Sequence, residues 1–209
     1  MCMLQFITHR TDNRDEISGA LAALQGGCRW IQLRMKDADD ELVMAVGKEL
    51  RRLCDDYGAT MILDDRVHLV EPLRADGVHL GKNDMAPSEA RRILPNGSII
   101  GATANTADDA SRAVDEGADY IGLGPFRFTS TKKNLSPVLG CDGLRDVMTR
   151  LRTRSDIPVV AIGGIVEADI PAVLATGVNG VALSGVIQNA PDPVAVTRGI
   201  IEKMKQPNI

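Results

Sequence analysis

A short polar loop is the part of this sequence whose residue types most directly suggest binding chemistry. It follows an apolar run at 120–123 that Gly124-Pro125 interrupts. Its donors are Thr129, Ser130, Thr131, Lys132 and a second lysine. Because hydroxyl and ammonium groups donate hydrogen bonds, and no acidic residue lies among them, the loop fits a phosphate or diphosphate. A solvated surface loop is the alternative interpretation.

Alternating polar residues in the second apolar run indicate a second anion-binding surface. Gln32, Arg34 and Lys36 are spaced by two, so an extended strand would place all three on one face. Arg34 and Lys36 would then hold phosphate oxygens, and Gln32, deeper in the strand, could bind a heterocycle through its donor and acceptor. An exposed sheet edge is the alternative, but the intervening apolar residues would then lack cover.

Carboxylates follow the next two apolar runs. Asp64 and Asp65 end the third run, and Asp84 follows the fourth. Neighbouring carboxylates of this kind suit Mg²⁺, which takes one or two of them and completes its shell with water and substrate phosphates. A helix cap for Asp65 and a turn for Asp84 are the structural alternatives. Thr103 ends the fifth run and adds a hydroxyl.

Two further segments predict a monophosphate site. Gly163-Gly164 follows the seventh run and would allow close backbone approach, and Ser184 follows the eighth. Tight turns are the alternative. Of the histidines, His9 is expected near these groups, whereas His79 is interpreted as a packed strand residue. No Cys/His or Ser/His/Asp combination can be placed from spacing.

The elements that must position these groups repeat along the chain. Eight apolar runs begin at Leu4, Cys28, Thr60, Gly77, Ser98, Asp119, Pro158 and Gly180. Helical periodicity separates them, for example at 40–57, 108–116 and 192–205. Alternating strands and helices predict a parallel sheet, and eight units predict an α/β protein with one (β/α)8 TIM barrel domain over residues 1–209. An open doubly wound sheet is the alternative, but its glycine fingerprint is missing after the first run.

Composition narrows the class of protein. The chain has 209 residues, 44% of them hydrophobic and 25% charged, which is typical of a soluble globular domain. A net charge of -4 argues against nucleic acid as a partner. Four cysteines without CxxC or zinc spacing predict reduced thiols and a cytoplasmic protein. We expect no membrane partner, because no apolar run approaches about 20 residues. The sequence is compatible with a homodimer.

Taken in order along the chain, these motifs resemble the thiamine-phosphate synthase family. The matching segments are Gln32-Leu-Arg-Met-Lys36, Asp64-Asp-Arg-Val67, Asp76-Gly-Val-His-Leu-Gly81 with Asp84, Gly124-Pro125 with Thr129-Ser-Thr-Lys132, Ile162-Gly-Gly-Ile165 and Leu183-Ser184. Each motif alone is weak, but their order through nearly all eight units is specific.

The resemblance implies a reaction in which hydroxymethylpyrimidine diphosphate and a thiazole monophosphate give thiamine monophosphate and diphosphate. It implies a dissociative substitution assisted by Mg²⁺. The pyrimidine diphosphate would be held by Gln32, Arg34, Lys36, Asp64, Thr103 and Lys132, and the metal by Asp65 and Asp84. The thiazole phosphate would be surrounded by Thr129, Ser130, Thr131, Gly164, Leu183 and Ser184. Lys132, Arg34 and Thr103 would carry the catalysis.

Two positions depart from the family pattern. Asp64 stands where asparagine is usual, and a second carboxylate beside a diphosphate is repulsive unless it is metal-bound, protonated or turned away. Thr103 stands where serine is usual, which keeps the hydroxyl and adds a methyl group.

Three other functions remain open. One is a thiazole tautomerase-like paralogue, which would not need the residues of the pyrimidine and metal sites together. Another is a sugar-phosphate isomerase or epimerase, for which no acid/base pair can be placed. The third is a catalytically silent barrel that binds a phosphate ligand, which Asp64 alone favours.

Overall fold

The computed structural model describes residues 3–128 and 137–205, which form a closed barrel of eight parallel strands. The strands are β1 (Met3–Ile7), β2 (Trp30–Leu33), β3 (Thr60–Asp64), β4 (Gly77–Leu80), β5 (Ile99–Ala104), β6 (Tyr120–Leu123), β7 (Val159–Ile162) and β8 (Gly180–Leu183). Each strand pairs with the next in the chain, and β8 closes the barrel on β1, with Leu4 opposite Val181. The predicted (β/α)8 barrel is therefore confirmed.

Helices follow the strands on the outside of the barrel. They are α1 (Glu16–Gln25), α2 (Asp40–Tyr57), α3 (Val70–Leu73), α4 (Pro87–Ile93), α5 (Ala107–Asp115), α6 (Gly140–Leu151), α7 (Ile170–Leu174), α8 (Gly185–Gln188) and α9 (Pro193–Lys205). Short 3₁₀ turns, Val67–Leu69 and Glu167–Asp169, precede α3 and α7. Among the residues that the structure describes, no helix is both long and apolar enough to cross a membrane.

Local sequence signals explain where the longest helix begins and ends. The Asp39 side chain caps α2 by accepting a hydrogen bond from the Leu42 amide at 2.9 Å. Gly58 ends the helix in the left-handed conformation that glycine adopts without strain. Val43, Gly47, Leu50 and Cys54 form the buried face between these ends, at helical spacing.

The second strand is shorter than the sequence pattern predicts. We expected an extended run through Lys36, but β2 ends at Leu33. The backbone amide of Arg34 donates to the Thr8 hydroxyl at 3.0 Å instead of continuing the ladder. Arg34 and Lys36 therefore extend from a loop at the barrel mouth, whereas Gln32 is the polar residue held within β2.

Two apolar layers build the core. The larger lies between the sheet and the helices and includes Ile31, Leu33 and Leu50, which are nearly inaccessible to solvent. The smaller fills the barrel interior, where the Trp30 and Tyr120 rings meet edge to face with centroids 4.7 Å apart. Trp30 is the first residue of β2 and Tyr120 the first of β6. Their rings therefore close the N-terminal end of the barrel and leave space at its C-terminal mouth.

Candidate active site

A pocket of about 430 Å³ opens at the C-terminal ends of the strands. Nine of the residues selected from the sequence line it: Gln32, Arg34, Lys36, Asp64, Asp65, Thr103, Gly164, Leu183 and Ser184. Asp84 adjoins it, since its Oδ2 accepts the Gly81 amide at 2.6 Å and Gly81 lines the pocket. The predicted ligands Thr129, Ser130, Thr131 and Lys132 lie outside the described residues.

Cations and carboxylates alternate along one wall of this pocket. Arg34 Nε lies 3.5 Å from Asp64 Oδ2, and Lys36 Nζ lies 3.0 Å from Asp65 Oδ2 and 3.9 Å from Asp64 Oδ2. Burial disfavours the charged form of Lys36, but the charges of Asp64, Asp65 and Asp84 outweigh it and raise the Lys36 pKa. Lys36 therefore stays protonated at neutral pH, and together with Arg34 it offers two cationic groups to an anionic ligand.

Asp64 and Asp65 are consecutive, yet both reach the pocket. Asp64 ends β3, and Asp65 has a φ of 67°, in the left-handed region where a non-glycine residue costs about 1–2 kcal/mol. The Asp65 amide donates to the His79 carbonyl at 3.0 Å, which holds this turn against β4. Because β3 ends at Asp64, the alternation of side chains between the two faces of a strand no longer applies to Asp65, and both carboxylates can face the pocket.

The Asp64 side chain is buried in the wall and has defined partners. It is 8% exposed, and its Oδ1 accepts a hydrogen bond from Gln32 Nε2 at 2.7 Å. Together with the Arg34 and Lys36 contacts, this places the carboxylate within the cationic surface rather than outside the site. A neutral asparagine could accept the Gln32 bond equally well, so the charge of Asp64 acts mainly on the neighbouring cations.

Asp65 and Asp84 form the carboxylate pair that a cation would need. Burial raises the Asp65 pKa, and the neighbouring Asp84 raises it further, while Lys36 opposes the shift. Two close carboxylates with incomplete charge compensation are stabilised by a bound cation. No group of three or more His, Cys, Asp or Glu side chains within residues 3–128 and 137–205 could hold a metal. A pair nevertheless fits Mg²⁺, which takes its other ligands from water and substrate phosphates.

His79, whose position within a strand predicts a packed residue, contacts the predicted hydroxyl ligand Thr103. His79 is only 5% exposed, as expected for a packed residue, but it also lines the pocket. Its Nε2 lies 3.0 Å from Thr103 Oγ1, and its Nδ1 lies 3.0 Å from the Tyr120 hydroxyl. Gly77 and His79 are two residues apart in β4, so the alternation of a strand predicts that both face the barrel interior.

The opposite side of the pocket is made of backbone. Gly163 and Gly164 have φ values of 95° and 68°, which favour glycine, and they turn the chain directly after β7. A Cβ at Gly164 would come within 3.0 Å of the Arg127 Cβ and of the Arg127 and Phe128 carbonyl oxygens. The loop is therefore compact, and its close backbone approach suits a phosphate.

Arg127, which none of the sequence motifs includes, fixes this glycine loop. Its guanidinium donates to the Gly164 carbonyl at 2.7 Å and to both Asp169 oxygens at 2.8 and 2.9 Å. Its amide donates to the Gly163 carbonyl at 2.9 Å. The segment after β6 is thus bound to the segment after β7. An arginine and an aspartate 42 residues apart carry no local pattern that could have indicated this.

The Ser184 hydroxyl is engaged within the protein, which differs from its expected role as a donor to phosphate. It donates to the Ile7 carbonyl at 2.6 Å, so the His9 Nδ1–H group donates to its oxygen at 2.7 Å. Burial, then the positive charge of Arg34, lowers the His9 pKa and favours this neutral form. Ser184 still lines the pocket, but the hydrogen bonds fix β1 against β8 rather than offering a free hydroxyl proton.

Comparison with known proteins identifies relatives over nearly the whole chain. The family model described as thiamine monophosphate synthase matches residues 4–187. Thiamine-phosphate synthase of Bacteroides fragilis is 55% identical over 202 residues, 96% of this chain and 99% of that protein. The Bacteroides thetaiotaomicron protein of that name is 54% identical, with 96% and 97% coverage. A solved thiamine phosphate pyrophosphorylase from Pyrococcus furiosus superposes with a TM-score of 0.87 at 36% identity, covering 98% of each chain.

Proposed function

This chain belongs to the thiamine monophosphate synthase family, and we propose that it joins hydroxymethylpyrimidine diphosphate to a thiazole monophosphate. The products are thiamine monophosphate and diphosphate. Family membership makes the chain a thiamine-phosphate synthase, a transferase of thiamine biosynthesis that acts on small molecules. The two named substrates, the metal and the course of the reaction are our proposal.

One observation carries the choice of substrates. A single pocket combines a cationic wall from the ends of β2 and β3 with a glycine loop after β7. Arg34 and Lys36 on the wall suit a diphosphate, and the backbone of Gly164 suits a monophosphate. A ligand on each side would place the pyrimidine and the thiazole next to one another within about 430 Å³. This is the geometry that a reaction between two bound phosphate esters requires.

The proposed chemistry needs no nucleophile from the protein. The carbon–oxygen bond between the pyrimidine methylene and the diphosphate breaks, and the diphosphate leaves with the electron pair. The electron-rich aminopyrimidine stabilises the resulting cation, and the thiazole nitrogen donates its lone pair to form the new carbon–nitrogen bond. The residues act by neutralising the leaving group and holding the partners in line, a role that we assign to Arg34, Thr103 and Lys132.

We propose Mg²⁺ as the cofactor, held by Asp65 and Asp84. When bound, it supplies positive charge to the leaving diphosphate. Burial and the contact with Asp84 both raise the Asp65 pKa, and this buried pair of carboxylates supports a cation at this position. Lys36 lies against Asp65 and can bridge that carboxylate to the diphosphate.

The remaining ligands complete the two subsites. We assign Gln32 and Asp64 to the pyrimidine side. Leu183, Ser184 and the polar loop, with Thr129, Ser130 and Thr131, are assigned to the thiazole phosphate. We also propose a cytoplasmic protein, which the free thiols of Cys28, Cys54 and Cys141 support. A homodimer remains a prediction.

A coupled assay of diphosphate release tests the function. The protein is incubated with both substrates and with each alone, and released diphosphate is converted to phosphate by pyrophosphatase. We expect release only when both substrates are present, together with thiamine monophosphate in equal amount. Isomerisation of the thiazole without diphosphate release would favour the tautomerase-like alternative, and tight binding without turnover would favour a silent phosphate-binding barrel.

The metal proposal predicts a specific effect of Asp84→Asn. The asparagine can still accept the Gly81 amide, so the turn is kept while the charge is lost. At limiting Mg²⁺ we expect the rate to fall by about tenfold or more, with partial recovery at high Mg²⁺. Asp142→Asn, at a fully exposed carboxylate, is the control for loss of one negative charge. Full wild-type activity in EDTA would reject the proposed metal.

A further inference from the structure

A chain of hydrogen-bonded side chains crosses the barrel interior and ends at the pocket. Gln5 Nε2 donates to the Tyr120 hydroxyl at 3.1 Å, the hydroxyl lies 3.0 Å from His79 Nδ1, and His79 Nε2 lies 3.0 Å from Thr103 Oγ1. Gln5, Tyr120 and His79 are 1%, 3% and 5% exposed. Thr103 is less buried and lines the pocket. The chain thus connects the closed end of the barrel with its mouth.

Two inward glycines make room for the aromatic members of this chain. A Cβ at Gly101 would collide with the Tyr120 ring, and a Cβ at Gly122 would come within 3.0 Å of His79 Cε1. Glycine within a strand is less favourable than alanine, because it loses more conformational entropy on folding and has no side chain to pack. Larger apolar side chains at Gly101 and Gly122 could fill this space without polar groups. The two glycines instead leave room for the Tyr120 and His79 rings and their hydrogen-bonding groups.

The donors and acceptors fix where each proton lies. The Gln5 amide nitrogen can only donate, so the Tyr120 oxygen accepts there, and among the contacts of the described residues His79 Nδ1 is the acceptor left for the buried Tyr120 hydroxyl proton. Burial raises the Tyr120 pKa and keeps this donor protonated. His79 Nδ1 is then the acceptor, and Nε2 carries the ring proton and donates it to Thr103 Oγ1. The Thr103 hydroxyl proton is consequently directed away from the histidine.

We propose that His79 is a positioning residue which, held as the Nε2–H tautomer by Tyr120, fixes the Thr103 hydroxyl as a hydrogen-bond donor to a diphosphate oxygen in the pocket. The proposal rests on the proposed function for the identity of the ligand. The tautomer assignment is independent of it. His79 makes no contact with the reacting atoms in this scheme. Its effect on turnover passes through Thr103.

A spectroscopic experiment tests the tautomer without any substrate. In protein labelled with ¹⁵N at histidine, long-range ¹H–¹⁵N correlations distinguish a protonated Nε2 from a protonated Nδ1. We expect Nε2–H for His79 in the wild type and a mixture of tautomers in Tyr120→Phe, which keeps the ring but removes the donor. A wild-type Nδ1–H tautomer, or a spectrum that Tyr120→Phe leaves unchanged, would overturn the proposal even if the protein proved to be no synthase.

Kinetics then separate positioning from simple packing. His79→Gln can place an amide donor near the former Nε2, whereas His79→Leu cannot. We expect kcat to fall by about 10- to 100-fold in His79→Leu, with the KM for the thiazole phosphate little changed, and to recover to within a few-fold of wild type in His79→Gln. Equal losses in the two variants, despite unchanged thermal unfolding, would contradict the assignment.

A double-mutant cycle with Thr103 identifies the route of the effect. In a Thr103→Val background the hydroxyl is already absent, so His79→Leu should cost less than about threefold further. The full His79→Leu loss in that background would show that the histidine acts independently of Thr103 and would reject the proposal. Where His79→Leu fails to fold, the same cycle is measured with Tyr120→Phe, which retains the packing ring.

Discussion

Asp64 stands where the resemblance to the family predicts asparagine, and the structure gives its surroundings. Its carboxylate accepts the Gln32 amide and lies beside Arg34 and Lys36. It therefore neutralises part of the positive charge of Arg34 and Lys36 that would face the proposed diphosphate. An asparagine would keep the Gln32 hydrogen bond and restore that charge.

We accordingly predict that Asp64→Asn leaves kcat unchanged or higher and lowers the KM for the pyrimidine diphosphate by a few-fold. The physical reason is the removal of one negative charge next to a bound polyanion. Steady-state kinetics at saturating thiazole phosphate measure both values. Asp64→Ala is the comparison variant, because it also removes the acceptor for Gln32 and should lower activity. A loss in Asp64→Asn as large as that in Asp65→Ala would make Asp64 an essential metal ligand.

His9 predicts a pH dependence of stability. Burial and Arg34 lower its pKa in the folded chain, so between that value and about 6.5 the unfolded chain binds more protons than the folded one. Stability should therefore be fully present above about pH 6.5 and should be lost as the pH falls through the folded pKa. Urea unfolding across this range measures the slope. His9→Asn keeps a donor near Ser184 but cannot titrate, and it should flatten the curve; an identical slope would contradict this account.

At the scale of elements, the turns after the strands build most of the site. The sequence predicted the strand starts to within two residues, because glycine before a buried apolar run is a strong local signal. The C-terminal ends of the strands were predicted less well. β2 stops at Leu33, where Thr8 captures the next amide, and Asp65 adopts a left-handed conformation against β4. Both outcomes depend on a neighbouring strand, which no local pattern specifies.

The same limit explains which site residues escaped prediction. Gln32, Arg34 and Asp84 could be selected because charged and amide groups stood out at the ends of apolar runs. His79 could not be distinguished from a packed residue, since its role follows from Thr103 and Tyr120 on other strands. Arg127 was missed for a similar reason, because its partners Gly164 and Asp169 become neighbours only when the barrel closes.

Alanine should have different effects at Gly164, in the glycine loop after β7, and at Gly97, shortly before β5. Gly164 and Gly97 both have positive φ, so alanine at either should cost about 1–2 kcal/mol of unfolding free energy. Only at Gly164 does the new Cβ crowd Arg127 and Phe128, whereas Gly97 has open space. Gly164→Ala should therefore also raise the KM for the thiazole phosphate by about tenfold, a loss of roughly 1.4 kcal/mol. An unchanged KM would show that this loop does not bind the phosphate.

At the scale of the whole molecule, ligand binding should be coupled to global stability. The pocket is built from strands spread around the closed barrel, so a ligand that joins its walls stabilises the folded chain as a unit. At about 100 times its Kd, diphosphate with Mg²⁺ should add about 2.7 kcal/mol, or roughly 5–10 °C in Tm. Differential scanning calorimetry measures this shift. Diphosphate without Mg²⁺ should give much less, and equal shifts with and without the metal would contradict a shared site.

The place where β1 begins has a consequence for how the chain can be extended. Met3 starts β1 beside Gly180, the first residue of β8, so it lies at the barrel face where the strands begin. The pocket opens at the opposite ends of the strands. A carrier protein joined ahead of Met3 should therefore alter connectivity while leaving the pocket intact.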